Sequence, residues 1–226
     1  MENTKNRDSR AIILFVIAAL SLLFFLFALV GYLYGPVILL ALLIFVAFSR
    51  AGVLAMTKQN TEKAPLLMRR LMIFYLATFL FIFLWLTVLN RGIVISSPGV
   101  HQEHRVNFVP FRTIREMSGL TREFGRNFVI INLLGNAVCL VPTAFFYPVL
   151  WKRAGNPIIY FLLVSATCIA AEVLQFVFYS GATDIDDYIL NVGGAMVFFF
   201  IFRLRPVRKF FDRIFPYLGI AEGSSP

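Results

Sequence analysis

Acid is in short supply in this chain. Only 12 of its 226 residues are Asp or Glu, and all charged residues together make up 15%. A soluble domain carries about 25%, so an ordinary water-exposed enzyme surface is excluded. Cysteine and histidine are scarcer still, at two each. Cys139 and Cys168 both sit in apolar runs, which permits one disulfide but excludes a disulfide framework, a zinc ribbon and a Cys-x-x-Cys redox pair. His101 and His104 are a thin metal signal, since loop histidines are usually solvated. Internal repeats and low-complexity tracts are also missing.

What is abundant is oil. Hydrophobic residues make up 59% of the chain, and the mean hydropathy is +0.80. Runs such as Ala11–Val30 and Leu71–Leu89 approach the roughly 20 apolar residues that cross a bilayer. The expected fold is an all-α polytopic integral membrane helical bundle of about six transmembrane helices, with an outer interfacial amphipathic helix between spans 3 and 4. The spans read as 11–34, 36–56, 71–89, 127–150, 157–179 and 187–202. Gly35-Pro36 separates the first two. Lys5, Arg7 and Arg10 precede the first run as in a signal peptide. The run is long and lacks a small-x-small cleavage site, so a retained span is expected. Residues 1–105 form an N-terminal region of three spans and the start of an outer loop, 106–200 a second region, and 201–226 a basic tail.

Lysine and arginine set the orientation. With the amino terminus inside, 15 of the 21 basic residues fall on cytoplasmic segments. The remaining six, all arginine, lie in 90–126. Both termini are then cytoplasmic and the turn at 180–186 is extracellular. The net charge of +9 is thereby assigned to loops, and a nucleic-acid partner is not expected.

Against such scarcity, four carboxylates between positions 172 and 187 stand out: Glu172, Asp184, Asp186 and Asp187. Intramembrane carboxylates are costly and usually have a role or a partner. The plain alternative is a solvated turn with a helix cap for the aspartates, and a protonated structural carboxyl for Glu172. Polar residues also fall at helical spacing on three spans. Asn132, Asn136, Cys139 and Thr143 mark the fourth. Cys168, Glu172, Gln175 and Tyr179 mark the fifth, and Asp184, Asp187, Asn191 and Gly194 the sixth. Lipid satisfies neither amides nor carboxylates, so the stripes should face one another. They would outline an outward-facing pocket, with Glu172 and Asn136 on the order of 10–15 Å deep and Asp184 and Asp187 at its rim. Gly135, Gly193 and Gly194 would let the helices approach closely. Asn132 and Gln175 serve equally well as interhelical glue.

The segment between spans 3 and 4 mixes aromatic and basic residues around Asn107, Phe108, Phe111, Arg112, Ile114 and Arg115. Phe108, Phe111, Ile114 and Leu120 suit the membrane interface, and the arginines suit phosphate through paired charge-assisted bonds. The alternative is that the aspartates pair with those arginines as a salt-bridged lid.

Three blocks now in view resemble the VanZ-like family. They are Asn107-Phe-Val-Pro110-Phe111-Arg112-Thr-Ile114, then Asn132-Leu-Leu-Gly135-Asn136 with Pro142, then Glu172-Val-Leu-Gln175 with Asp184-Ile-Asp186-Asp187 and Asn191-Val-Gly193-Gly194. The likeness covers roughly residues 106–199. The chain departs from the family pattern at Thr143-Ala144 and at Ala182-Thr183. The resemblance implies a bacterial plasma-membrane protein that in some relatives lowers susceptibility to lipoglycopeptide antibiotics such as teicoplanin.

Three functions fit these residues. The favoured one is a non-catalytic envelope factor without a cofactor. It would bind membrane lipids, a lipid-linked cell-wall precursor or a lipoglycopeptide through Asn107, Arg112, Arg115, Asn132, Asn136, Glu172, Gln175, Asp184, Asp187 and Asn191. The second is an enzyme on a phosphorylated lipid-linked substrate, in which Asp184, Asp186 or Asp187 holds a divalent metal ion, Glu172 or Asn136 positions water, and Arg112 and Arg115 hold the phosphate. The third is a proton-coupled transporter working through Glu172. Six spans with neither an internal repeat nor a broken helix pair argue against that one.

Overall fold

A computed structural model describes residues 2–30, 35–57, 61–89, 106–119, 126–178, 180 and 183–218. The chain is nearly all helical. The long helices are α1 (Glu2–Val30), α2 (Gly35–Thr57), α3 (Ala64–Leu84), α5 (Arg126–Cys139), α6 (Val141–Leu150), α7 (Pro157–Val177) and α8 (Ile185–Ile201). Shorter ones are α4 (Arg112–Gly119) and α9 (Arg205–Ile214). Five helical stretches are long and apolar enough to cross a membrane, or six if α8 and α9 are one bent span. The protein is a multi-pass membrane protein.

The expectation of helices alone needs one correction. Val106–Asn107 (β1) and Thr183–Asp184 (β2) pair as a short parallel ladder, with Val106 opposite Thr183 and Asn107 opposite Asp184. Two residues per strand carry no periodic signal, so hydropathy cannot reveal them.

The described residues form two compact units. The first comprises Met1–Ile73 and Phe211–Gly219. Here α1 and α2 pack along a seam of small and aromatic residues. Ala11, Ala18 and Phe25 are buried on α1, and Ala41, Phe45, Ser49 and Val53 on α2. These positions repeat at helical spacing, which confines the contact to one face and leaves the rest for lipid. Gly52 lies so close to the Phe15 ring that an added Cβ would stand 3.1 Å from it. Ser49 hides its hydroxyl on the Phe45 carbonyl at 2.6 Å, as an apolar environment requires.

The second unit is built on Phe74–Phe210. Its core joins α3, α5, α6, α7 and α8 through Phe83, Leu140, Ala144, Tyr160, Val164, Cys168, Ala171, Val192, Ala195 and Phe199. Tyr160 stacks on Phe199 with centroids 4.4 Å apart, and its hydroxyl meets Thr143 Oγ1 at 2.9 Å. Asn156 starts α7 by accepting from the Ile158 and Ile159 amides at 2.9 and 3.3 Å. Pro157 occupies the first helical position, where no N–H is needed.

The fourth span, Val129–Leu150, carries a one-residue irregularity. α5 ends at Cys139 and α6 begins at Val141, with Leu140 between them at φ −96°, ψ 3°. Pro142 has no N–H to continue the ladder. The Leu140 carbonyl instead accepts from the Thr143 amide at 3.0 Å and the Thr143 hydroxyl at 2.6 Å. The third span ends in a π-helical turn, Trp85–Leu89.

Candidate functional site

The site is a clamp between the segment from Val106 to Ile114 and the start of α8. Its geometry follows from how Asp and Asn satisfy backbone amides. Asp184 is the N-cap of α8 and accepts from the Asp186 amide at 2.9 Å, the ordinary solution for a helix start. The same Asp184 Oδ1 accepts from Asn107 Nδ2 at 2.9 Å. Asn107 uses its other groups locally: Oδ1 accepts from the Val109 amide at 3.1 Å, and Nδ2 reaches Thr113 Oγ1 at 3.1 Å.

Asp186 is 1% exposed, and its partners are amides of another element. Oδ1 accepts from the Phe111 amide at 2.5 Å, and Oδ2 from the Ile114 amide at 3.1 Å. α4 begins at Arg112, so these donors belong to its cap and third positions. A helix of eight residues has no free energy to spare for orphan donors. Asp186 therefore caps α4 from across the clamp, with its negative charge at the positive end of the helix dipole.

The three polar stripes meet in the second unit. Asn136 Nδ2 donates to Asp187 Oδ1. Cys139 Sγ donates to Asn191 Oδ1. Gly194 lies against the backbone of Ala137, where an added Cβ would overlap the carbonyl. Glu172 is 8% exposed, and its Oε2 accepts from the Asp184 amide at 3.2 Å. Thr183 Oγ1 reaches back to the Glu172 carbonyl at 3.4 Å.

These bonds correct the expected depth profile. Glu172 and Asn136 do not lie well below Asp184 and Asp187; each touches one of them. The chain after α7 doubles back, so β2 itself sits over Glu172. The Asp184 amide thus occupies one oxygen of Glu172, which was expected to face an open pocket.

Gln175 is buried, and its Nε2 donates to the Thr87 carbonyl at 3.1 Å. Thr87 lies in the π-helical turn at the end of the third span. Asn132 lies on the exposed side of α5. Gly135 and Gly193 have nothing within 4 Å of an added Cβ, so of the three glycines only Gly194 marks a close approach. Neither Asp184 nor Asp186 pairs with Arg112, which bonds Glu116 through Nε at 2.8 Å. That bond raises the Arg112 pKa, first through the hydrogen bond and then through the charge of Glu116. Arg115 is exposed on the same short helix.

Phe108, Val109, Pro110 and Phe111 form the tip of the clamp. Phe108 is 76% exposed and Phe111 55%. Phe111 has φ 62°, a left-handed conformation unfavourable for a bulky residue. Among the described residues no three His, Cys, Asp or Glu side chains converge as metal ligands. His101, His104, Leu120 and Tyr179 lie outside the described residues. Reading the sequence overlooked Thr87 and Thr113 as partners. The fixed spacing of Asn107 to Thr113 was a usable signal, because Asn commonly closes such turns.

The fold and the clamp define a multi-pass helical membrane protein with an acid-built latch. The VanZ/LLP1 family profile matches residues 72–206, and the chain belongs to that family. It is similar to Protein VanZ of Enterococcus faecium, with 28% identity over 149 residues, covering 64% of this chain and 83% of that one. No solved structure matches at a significant level.

Proposed function

We propose that this protein is a non-catalytic envelope factor that binds an amphiphile at the outer leaflet and lowers susceptibility to lipoglycopeptides such as teicoplanin. The amphiphile is a lipid-linked wall precursor or the antibiotic itself. The observation that carries the reading is the apolar tip Phe108–Phe111, held out by the buried Asp186 beside the exposed Arg112 and Arg115. An apolar wedge next to guanidinium groups suits a molecule with acyl chains and phosphate or carboxylate. The carboxylates support binding rather than chemistry, because Asp186 spends both oxygens on amides at the tip and at the start of α4, and Asp184 uses Oδ1 on Asn107 and on its own helix start. Membership of the VanZ/LLP1 family and the likeness to Protein VanZ support the antibiotic context. In this reading α4 is the interfacial helix, both termini are cytoplasmic and the clamp faces out.

The test is expression in a susceptible bacterium, read as the minimum inhibitory concentration of teicoplanin. The unmodified chain should raise it several-fold. Phe108→Ser with Phe111→Gly should abolish the rise at equal membrane abundance. Glycine accepts the φ of 62° at position 111 without penalty, so lost resistance would report lost apolar contact rather than a collapsed clamp. No rise with the unmodified chain, or a full rise with the double variant, overturns the proposal.

A further inference from the structure

The last helix carries a feature unrelated to the clamp. α9 follows α8 after a three-residue break and leaves it at 87°. The corner is built rather than loose. The Arg203 and Leu204 amides donate to the Phe200 and Ile201 carbonyls at 3.1 and 3.0 Å. The Arg203 guanidinium bonds the Gly155 carbonyl and lies 4.4 Å over the Phe199 ring. A helix leaving a membrane-crossing one at a near right angle runs close to the membrane plane.

The faces of α9 are fully segregated. Val207, Phe210, Phe211 and Ile214 recur at steps of three, one and three, which places them on one side. Arg205, Arg208, Lys209 and Arg213 occupy the other side, with Asp212 as the single acid. Three of these four cations sit in the first half of the helix, and the first turn holds no acidic residue. That placement opposes the helix dipole, which favours acids at the start and bases at the end. The charge pattern therefore does not serve the helix itself; it suits an external anion. Phe210 remains 56% exposed and Leu204 at the corner 54%, an apolar edge left on the side opposite the cations.

We propose that α9 lies in the membrane interface and selects anionic phospholipid headgroups, with Phe210 among the acyl chains and the four cations at the phosphates. Anionic lipid rather than a free polyanion is the ligand, because the cationic face backs onto an apolar one. A basic amphipathic helix of this kind gains about five-fold in binding per Lys or Arg at an anionic surface, the equivalent of ~1 kcal/mol each.

The experiment uses the full chain with Phe210→Cys carrying a bimane fluorophore, reconstituted in phosphatidylcholine vesicles containing phosphatidylglycerol. The chain without this substitution sets the background from Cys139 and Cys168. Brominated phosphatidylglycerol should quench the label severalfold more than brominated phosphatidylcholine at equal mole fraction. Replacing Arg205, Arg208, Lys209 and Arg213 with Gln should make the two lipids equivalent. Soluble inositol hexakisphosphate should leave the quenching unchanged. Equal quenching by both lipids in the unmodified helix overturns the selectivity. Quenching by neither overturns the placement, whether the face is in water or against another protein. Teicoplanin susceptibility does not enter these readouts, so the outcome stands apart from that of the clamp.

Discussion

Glycine shows how much a single position depends on its neighbours. Gly135, Gly193 and Gly194 look alike in the sequence, all within polar-striped helices. Only at Gly194 would a methyl group collide with backbone, its nearest carbon being the Ala137 carbonyl carbon at 2.7 Å. Gly194→Ala should force α5 and α8 apart and cost on the order of 1–3 kcal/mol. Gly135→Ala and Gly193→Ala meet nothing within 4 Å, and should stabilise by up to about 1 kcal/mol through helix propensity. Thermal unfolding of the purified protein in detergent checks this. A Gly194→Ala protein as stable as the other two would show that the helices do not touch there. Phe111 shows the same dependence in reverse. Nothing about a phenylalanine announces a left-handed backbone, yet φ is 62°, because its amide must reach a carboxylate on a distant helix.

At the scale of elements, the clamp turns three short pieces into one. α4 spans only Arg112–Gly119, well under the length at which an isolated helix is stable in water. β1 and β2 are two residues each. Each is marginal alone, and Asp186 joins them through the Phe111 and Ile114 amides. Asp186→Ala should leave both part-buried donors without their acceptor, costing on the order of 1 kcal/mol for each. α4 should then exchange its amide hydrogens far faster while the core of α7 and α8 stays protected. Unchanged protection across 111–119 would remove Asp186 from its capping role. Asp186→Asn should fall between the two, since one amide oxygen still accepts. The broken fourth span follows the same logic. Pro142 has no N–H for the carbonyl one turn back, and both the amide and the hydroxyl of Thr143 go to the Leu140 carbonyl at the break.

For the molecule as a whole, the clamp's role depends on which side of the membrane it faces. The reading above puts residues near 181 outside and those near 154 inside. Alkaline phosphatase fused after Gly181 should be active, and fused after Ala154 inactive. The reverse pattern would place the clamp in the cytosol and end the outer-leaflet proposal.

Several properties were legible from the residues alone. Long apolar runs make a membrane-crossing helical protein unavoidable, because lipid cannot satisfy an unpaired backbone. Polar residues at steps of three and four identify which helix faces must meet, and Asn136 with Asp187 and Cys139 with Asn191 do meet. The three short blocks that carry the family resemblance were likewise visible. What stayed hidden was the division of labour among the acids. Asp184, Asp186 and Asp187 are adjacent in sequence and chemically alike, yet one caps its own helix, one caps a helix more than 70 residues away and one binds an amide side chain. Nor did spacing reveal that the chain brings the backbone of β2 onto the Glu172 carboxylate. Burial is local and repeats with the helix, so patterning can report it. A hydrogen bond between distant segments depends on where two backbones converge, and only the assembled fold fixes that.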